Sequence, residues 1–325
     1  MTQTKPRICV VTCMRNEGQF LLEWVAYYRA LGFDEIIVMT NDCDDGTDLI
    51  LDRLEELGHV THVQNLAMDD LAPLERGIKR AFAHPKVQSC DWLMLCDADE
   101  FPYIDHGDGN IHDLISAMPG HTDCIALAWK AFGTSGLEVF PQGANVLEVN
   151  TMAQDEPDPA GFHKSIFRPN KFSEAIDHMP KSPHGPVIVR NSNGQEMNPV
   201  AFNKPWSKYR GTAANLVTFE GACMHHYATR ADDIFVMKND RGDGRFASHT
   251  KYYKNSGFYT RFNRNDVSDR QIEKLLPAVK RIKDSFMKDP ILSDLHRKAI
   301  EHFKSHKERV LTPEQLAAWT KKTKS

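Results

Sequence analysis

No stretch of this 325-residue chain approaches about 18 consecutive apolar residues, the length needed for a membrane-spanning helix. No Cys-x-x-Cys pair occurs either. Its seven cysteines (Cys9, Cys13, Cys43, Cys90, Cys96, Cys124 and Cys223) are scattered, several of them in apolar runs. An odd, unclustered set argues for reduced, buried thiols and against a disulfide framework or a zinc site. Positive charge is not in excess: the net charge is −4, which removes the global signature of nucleic-acid binding. Internal repeats and low-complexity tracts are missing. The opening Met1-Thr2-Gln3-Thr4-Lys5-Pro6-Arg7 lacks the apolar core of a signal peptide. These absences lead us to expect a cytoplasmic protein, with any membrane contact peripheral.

What is present is a soluble composition, 41% hydrophobic and 26% charged. The length suffices for a substantial core, in one large domain with appendages or in two small ones. Through the first hundred residues strand and helix patterns alternate. Strands are expected over 8–13, 35–39, 59–63 and 92–96, and helices over 19–31, 47–57 and 73–83. Gly32 and Gly58 stand as helix stops, and Pro73 suits a first helical turn. Such an order implies a parallel sheet with helices on both faces, and ligands bind beyond the carboxyl ends of its strands. Residues 101–230 read as a less regular half, with strand-like pieces at 124–129, 187–189 and 216–219. Residues 231–325 read as mostly helical, with an interruption over 243–265, a break or kink at Pro277 and a helix start at Thr312-Pro313-Glu314-Gln315.

Three strand ends at the same edge are unusually polar: Arg15-Asn16-Glu17, then Asn41-Asp42-Cys43-Asp44-Asp45-Gly46-Thr47, then Asp97-Ala98-Asp99-Glu100. In an extended segment the side chains of Asp97 and Asp99 point the same way. A hard divalent cation offsets their repulsion, taking one or two carboxylates from the protein and the rest from water and phosphates. The plainer reading of such a pair is a solvated loop. Asp44, Asp45 and Thr47 read better as a tight turn and a helix cap. Arg76, Lys79 and Arg80 share one helix face, either toward a phosphorylated ligand or as a solvated basic face.

In order along the chain, Val11-Thr12-Cys13-Met14-Arg15-Asn16-Glu17, Leu21 through Gly32, Asn41 through Thr47, Asp97-Ala98-Asp99-Glu100-Phe101, Phe132-Gly133-Thr134-Ser135-Gly136, Lys164-Ser165-Ile166-Phe167-Arg168-Pro169 and His226-Tyr227 resemble the GT-A-fold glycosyltransferases, in their bacterial family-two-like branch. The resemblance covers roughly residues 7–242. It implies an α/β mixed sheet flanked by helices, with a GT-A domain over 1–242 (nucleotide-binding half 1–100, acceptor half 101–242) and a helical C-terminal extension over 243–325. It implies a UDP- or GDP-sugar donor, with Thr12, Arg15, Asn16, Glu17, Asn41 and Asp42 toward base and ribose, and Arg76, Asp97, Lys164 and Arg168 as further donor contacts. A divalent metal, Mn²⁺ or Mg²⁺, falls to Asp97, Asp99 and His226, with His225 in reserve. Arg230 and Arg241 are further candidates for phosphate or acceptor. The implied activity is metal-dependent transfer of a sugar to a glycan or lipid-linked hydroxyl acceptor, inverting, in surface glycan or polysaccharide synthesis. An inverting transfer needs a carboxylate to take the acceptor proton; Glu138 comes first, then Asp155 and Glu156, each equally readable as a surface acid.

Two other classes compete. In phosphohydrolases an Asp-x-Asp ends the first strand, but here that strand ends in Arg-Asn-Glu. Sugar nucleotidylyltransferases carry an N-terminal Gly-rich loop that this chain lacks. A non-catalytic sugar-binding module on the same fold is the third possibility.

Overall fold

The computed structural model describes residues 5–67, 69–242 and 251–320. Part of the expected interruption, 243–250, lies outside the described residues. Strands β1 (Ile8–Met14), β2 (Glu35–Thr40), β3 (Thr61–Gln64) and β4 (Trp92–Leu95) alternate with helices α1 (Gly18–Ala30), α2 (Thr47–Glu56), α3 (Pro73–Phe82) and the short α4 (Pro85–Gln88). Then follow β5 (Glu100–Ile104), α5 (Ile111–Ala117), β6 (Cys124–Ala131), α6 (Val146–Val149), β7 (Met152–Ala153), β8 (His163–Phe167), β9 (Phe172–Ala175), β10 (Pro180–Pro183), β11 (Val189–Asn191), β12 (Glu196–Met197) and β13 (Ala222–His226). The chain continues through α7 (Asp232–Arg241), α8 (Gly257–Phe262), β14 (Val267–Ser268), α9 (Leu276–Phe286), α10 (Pro290–Val310) and α11 (Pro313–Ala318).

The main sheet runs β12-β11-β6-β8-β4-β1-β2-β3, with β13 paired to β6 and β5 to β13. β1, β2, β3 and β4 are mutually parallel, and β11 and β13 run parallel to β6. β8 is antiparallel to both β4 and β6, so these two share the direction of β1. The result is the α/β architecture expected: a mixed, mostly parallel sheet flanked by helices. The carboxyl ends of β1, β2, β4, β6 and β13 open on one edge.

α1 is buried almost all round, through Phe20, Leu21, Leu22, Trp24, Val25, Ala26, Tyr27 and Tyr28. A helix apolar on every side needs cover on every side. The sheet covers one face; α9 and α10 cover another, and Val279, Phe286, Leu292 and Ala299 join the same core. Its polar groups are met within that core: the hydroxyls of Tyr27 and Tyr28 donate to the carbonyls of Pro102 (2.8 Å) and Glu100 (3.0 Å), and the Glu23 carboxylate accepts from the backbone amides of Val146 (2.8 Å) and Leu147 (3.0 Å). The helices after residue 275 therefore complete a layer of this core, where the sequence suggested an appended extension.

Other boundaries move for local reasons. Leu216 to Phe219, expected as a strand, lies in and after a 3₁₀ turn at Ala214–Leu216, and the strand begins at Ala222. Where a break or kink is expected at Pro277, a 3₁₀ turn over Gln271–Leu275 leads into α9, with Pro277 in its first turn. The Thr312 hydroxyl accepts from the Gln315 amide (3.2 Å), so that helix start is the one the sequence signals.

Candidate active site

At the carboxyl edge of the sheet lies a crevice of about 730 Å³. Arg15 and Glu17 follow β1, Asn41 and Asp42 follow β2, and Asp97, Ala98 and Asp99 follow β4; all of these line it. His226 ends β13, Lys238 and Arg241 come from α7, and Trp129, Phe162, Asp177, His178 and Phe262 form much of the remaining wall.

The loop after β4 is fixed through its backbone. Three consecutive carbonyls are each held: Asp97 by the Trp24 indole (3.3 Å), Ala98 by Arg230 (2.9 Å) and Asp99 by the Tyr227 amide (2.8 Å). The Asp97 amide donates to the buried Glu100 carboxylate (2.7 Å). Their backbones are thus anchored on α1 and on the segment following β13, which positions the acidic side chains.

The two acids do not share one extended face, because Ala98 and Asp99 form a turn. Each meets its own lysine. Asp97 Oδ2 accepts from Lys164 Nζ (3.0 Å), and Asp99 Oδ2 from Lys238 Nζ (2.7 Å). Burial opposes the charge on Asp99, but Lys238 and then His226 outweigh it and hold the carboxyl well below its usual range. Burial also pushes Glu100 up, to about 7, against the pull of Lys164. Glu17 is buried too, and Arg241 and Arg230, both paired with it, keep it below the usual range.

His225 and His226 are successive residues of β13 and so face opposite ways. His226 turns to the crevice: its Nε2 lies 3.6 Å from Asp99 Oδ1 and its ring 4.1 Å from that of Trp129. His225 turns into the core against Phe132, 4.4 Å between ring centres, and neither of its ring nitrogens has a partner among the described residues. Burial lowers its pKa to about 3.

Several expected contacts are not in the crevice. Arg76 is buried and bonded to Asp69 Oδ1 (2.6 Å) and to the carbonyls of Asp69 and Leu71, so it shapes the loop before α3. Lys79, on the same helix, is exposed, and Arg80 reaches Asn65 Oδ1 (3.4 Å). Arg168 sits at the opposite edge of the sheet, over the Trp92 ring (4.4 Å) and bonded to the Thr122 carbonyl (3.1 Å), because β8 runs against its neighbours. Lys164, four residues earlier, reaches the crevice edge for the same reason. Asn16 exchanges two hydrogen bonds with Asp44 and clasps the loops after β1 and β2 together. Thr12 is buried with its hydroxyl unpartnered among the described residues and does not line the crevice.

Glu138, Asp155 and Glu156 are exposed and do not line the crevice. Glu138 lies between β6 and α6, its carbonyl accepting from the Asp233 amide at the start of α7 (3.0 Å), and Asp155 and Glu156 follow the β7–β14 pairing at the surface. Asp177 is the crevice carboxylate contributed from between β9 and β10, paired with His178 (3.2 Å). It and Lys238 carried no spacing signal in the sequence. Asp177 lies in an irregular loop, and Lys238 reads as one more cation on a polar helix.

The donor set suits a cation only in part. Asp99 Oδ1 and His226 Nε2 are beyond hydrogen-bonding distance, at the spacing of about 3–4 Å expected for two ligands of one ion. No group of three or more His, Cys, Asp or Glu side chains gathers to hold a metal among the described residues. The residues fit a cation that draws one carboxylate and one imidazole from the protein and its remaining ligands from phosphate and water.

Residues 7–282 match the model of glycosyltransferase family 92. Curated relatives include family 92 proteins of Oryza sativa subsp. japonica, 28% identical over 73% of this chain and 39% of that protein, and of Ricinus communis, 27% identical over 52% of this chain and 30% of that protein. The chain thus spans about a third of the length of these relatives. Among solved structures, S. aureus TarS in complex with UDP aligns with a TM-score of 0.34 and 15% identity over 50% of this chain and 47% of that one. A Mycobacterium tuberculosis glucosyl-3-phosphoglycerate synthase complex with Mn²⁺ and UDP aligns with a TM-score of 0.30 and 13% identity over 52% and 61% of the two chains. The narrower family-two-like placement has no counterpart among these relatives. By the match over most of its length, the chain belongs to glycosyltransferase family 92.

Proposed function

We propose that this chain transfers a sugar from a nucleoside-diphosphate donor to a hydroxyl of a glycan or lipid-linked acceptor, with a divalent cation bound at Asp99 and His226. Family membership supports the reaction class. The observation that carries the site is the 3.6 Å approach of His226 Nε2 to the anionic Asp99 at the common edge of the strands. Bound there, the cation would supply Lewis-acid stabilisation of the departing diphosphate. The chain's own residues do the remaining work. Asn41, Asp42 and Glu17 offer amide and carboxylate groups to ribose hydroxyls and base N–H groups. Arg15 and Lys238 present cations where negative charge grows. Trp129, Phe162 and Phe262 give an apolar wall to the acceptor side and keep water from competing with the acceptor.

In an inverting transfer the acceptor hydroxyl attacks the anomeric carbon as its proton leaves. Of the crevice carboxylates, Asp177 comes from the segment between β9 and β10 and not from the Asp97–Asp99 loop, and we assign it the proton-accepting role in place of Glu138, Asp155 and Glu156. The test is release of UDP or GDP from UDP- and GDP-sugars, with and without Mn²⁺. Asp99→Asn should lower the rate at least about a hundredfold, the scale of losing one transition-state stabiliser, while far-UV circular dichroism stays unchanged. Activity indifferent to chelation would reject the metal-dependent form of the proposal.

A further inference from the structure

We infer that Lys238 is a resident counter-ion of Asp99, so that the crevice accepts a divalent cation only together with a nucleoside diphosphate. This rests on the reading that Asp99 and His226 receive the cation. Both acids of the loop are neutralised by a lysine, but the two lysines are held differently. Lys164 is fully buried and has three partners: Asp97 Oδ2 (3.0 Å), Glu100 Oε2 (3.1 Å) and the Asp177 carbonyl (2.8 Å). Burial opposes its charge, yet Asp97 and Glu100 raise its pKa, and it is locked in place. Among the described residues Lys238 has two hydrogen-bond partners, Asp99 Oδ2 (2.7 Å) and the Ala228 carbonyl (2.8 Å), with the Tyr252 ring 5.8 Å away, and it lines the crevice. It is the exchangeable one.

The charge around it is already in positive excess. Arg230 and Arg241 share a single carboxylate, Glu17. A divalent ion arriving alone at Asp99 meets an ammonium on the same carboxylate, and in a partly desolvated crevice their repulsion is poorly screened. Displacing Lys238 without a new anion leaves a buried ammonium with one carbonyl, a costly state. A diphosphate changes both terms: its oxygens coordinate the ion, and its remaining negative charge receives Lys238. Cation and nucleotide therefore bind with positive coupling, and Lys238 is the group that makes each wait for the other.

The experiment is calorimetric titration of Mn²⁺ into the full chain, alone, with UDP and with GDP. In the wild-type protein the Mn²⁺ affinity should rise at least about tenfold in the presence of whichever nucleotide binds, and Mn²⁺ should raise the affinity for that nucleotide by the same factor. Lys238→Gln keeps a donor for the Ala228 carbonyl and loses the charge. It should bind Mn²⁺ without nucleotide at least about tenfold more tightly than wild type, as should Lys238→Met. Equal wild-type Mn²⁺ affinity with and without nucleotide overturns the inference, and this arm needs no variant to fold. Coupled binding in wild type with both folded variants binding free Mn²⁺ no more tightly overturns the role of Lys238 and leaves the cation site standing. No Mn²⁺ binding under any condition overturns both.

Discussion

His225 and His226 show how far one residue's neighbours decide its chemistry. The resemblance favours His226 of two adjacent imidazoles without telling which of them faces inward; the alternation of β13 settles which faces the crevice. His225 then becomes a stability element. Its pKa is lowered to about 3, and His163 and His296, also buried, are lowered to about 4, in each case by burial first. The unfolded chain takes these protons near pH 6.5, whereas the fold refuses them until near pH 3–4. The stability these histidines contribute is therefore full above pH 6.5 and falls as pH drops below it, by up to about 1.4 kcal/mol per pH unit for each histidine. Urea unfolding between pH 4.5 and 7.5 reads the net slope, in which Glu100, held protonated in the fold to about pH 7, works in the opposite direction. His225→Phe should flatten the slope by about one proton's worth, and an unchanged slope would remove His225 from the account. Charge type and order made Asp97, Asp99, Arg15, Asp42 and His226 legible in the sequence. Arg76 and Arg168 misled because a cation near a strand end or helix start looks the same whether it meets a ligand or a neighbouring carbonyl. Only the direction of β8 and the course of the 69–71 loop tell the two apart.

At the scale of elements, the alternating first half was readable because hydrophobic period and glycine or proline stops agree there. Gly32 and Gly58 adopt φ of +95° and +76°, as helix-ending glycines do. The second half was less readable because β7, β11 and β12 are two or three residues long, too short to carry a period. α3 shows what a small residue does that no pattern announces. A Cβ at Gly77 would stand 2.5 Å from the Cys13 sulfur and 3.2 Å from Asn65 Nδ2, so the absent side chain lets α3 lie directly on β1. Gly77→Ala should cost about 1–3 kcal/mol in urea unfolding despite alanine's better helix propensity. It should also weaken nucleotide binding, since Cys13 and Leu74 line the crevice beside it. A more stable variant would mean that helix and strand are not in the contact described.

For the whole molecule, the question is what α1 rests on. Val279, Phe286, Leu292 and Ala299 are almost fully buried and belong to the core that holds Trp24 and Tyr28. Burial of such side chains is worth about 1.5–3 kcal/mol for the larger ones, against a total of about 5–15 kcal/mol for a typical domain. Removing the chain from Leu276 onward should therefore abolish cooperative unfolding and leave a product that binds apolar dyes. A truncated chain that stays soluble and melts sharply would show that the C-terminal helices are dispensable. β8 has a different kind of influence. Because it alone among the central strands runs backwards, its first residues, not its last, look onto the reaction edge, and the connection that leads into it, carrying Phe162, becomes part of the rim. That incoming connection, residues 154–162, can change in length or sequence while every ladder pairing of β8 stays in register, so the rim can be reshaped without disturbing the sheet beneath it.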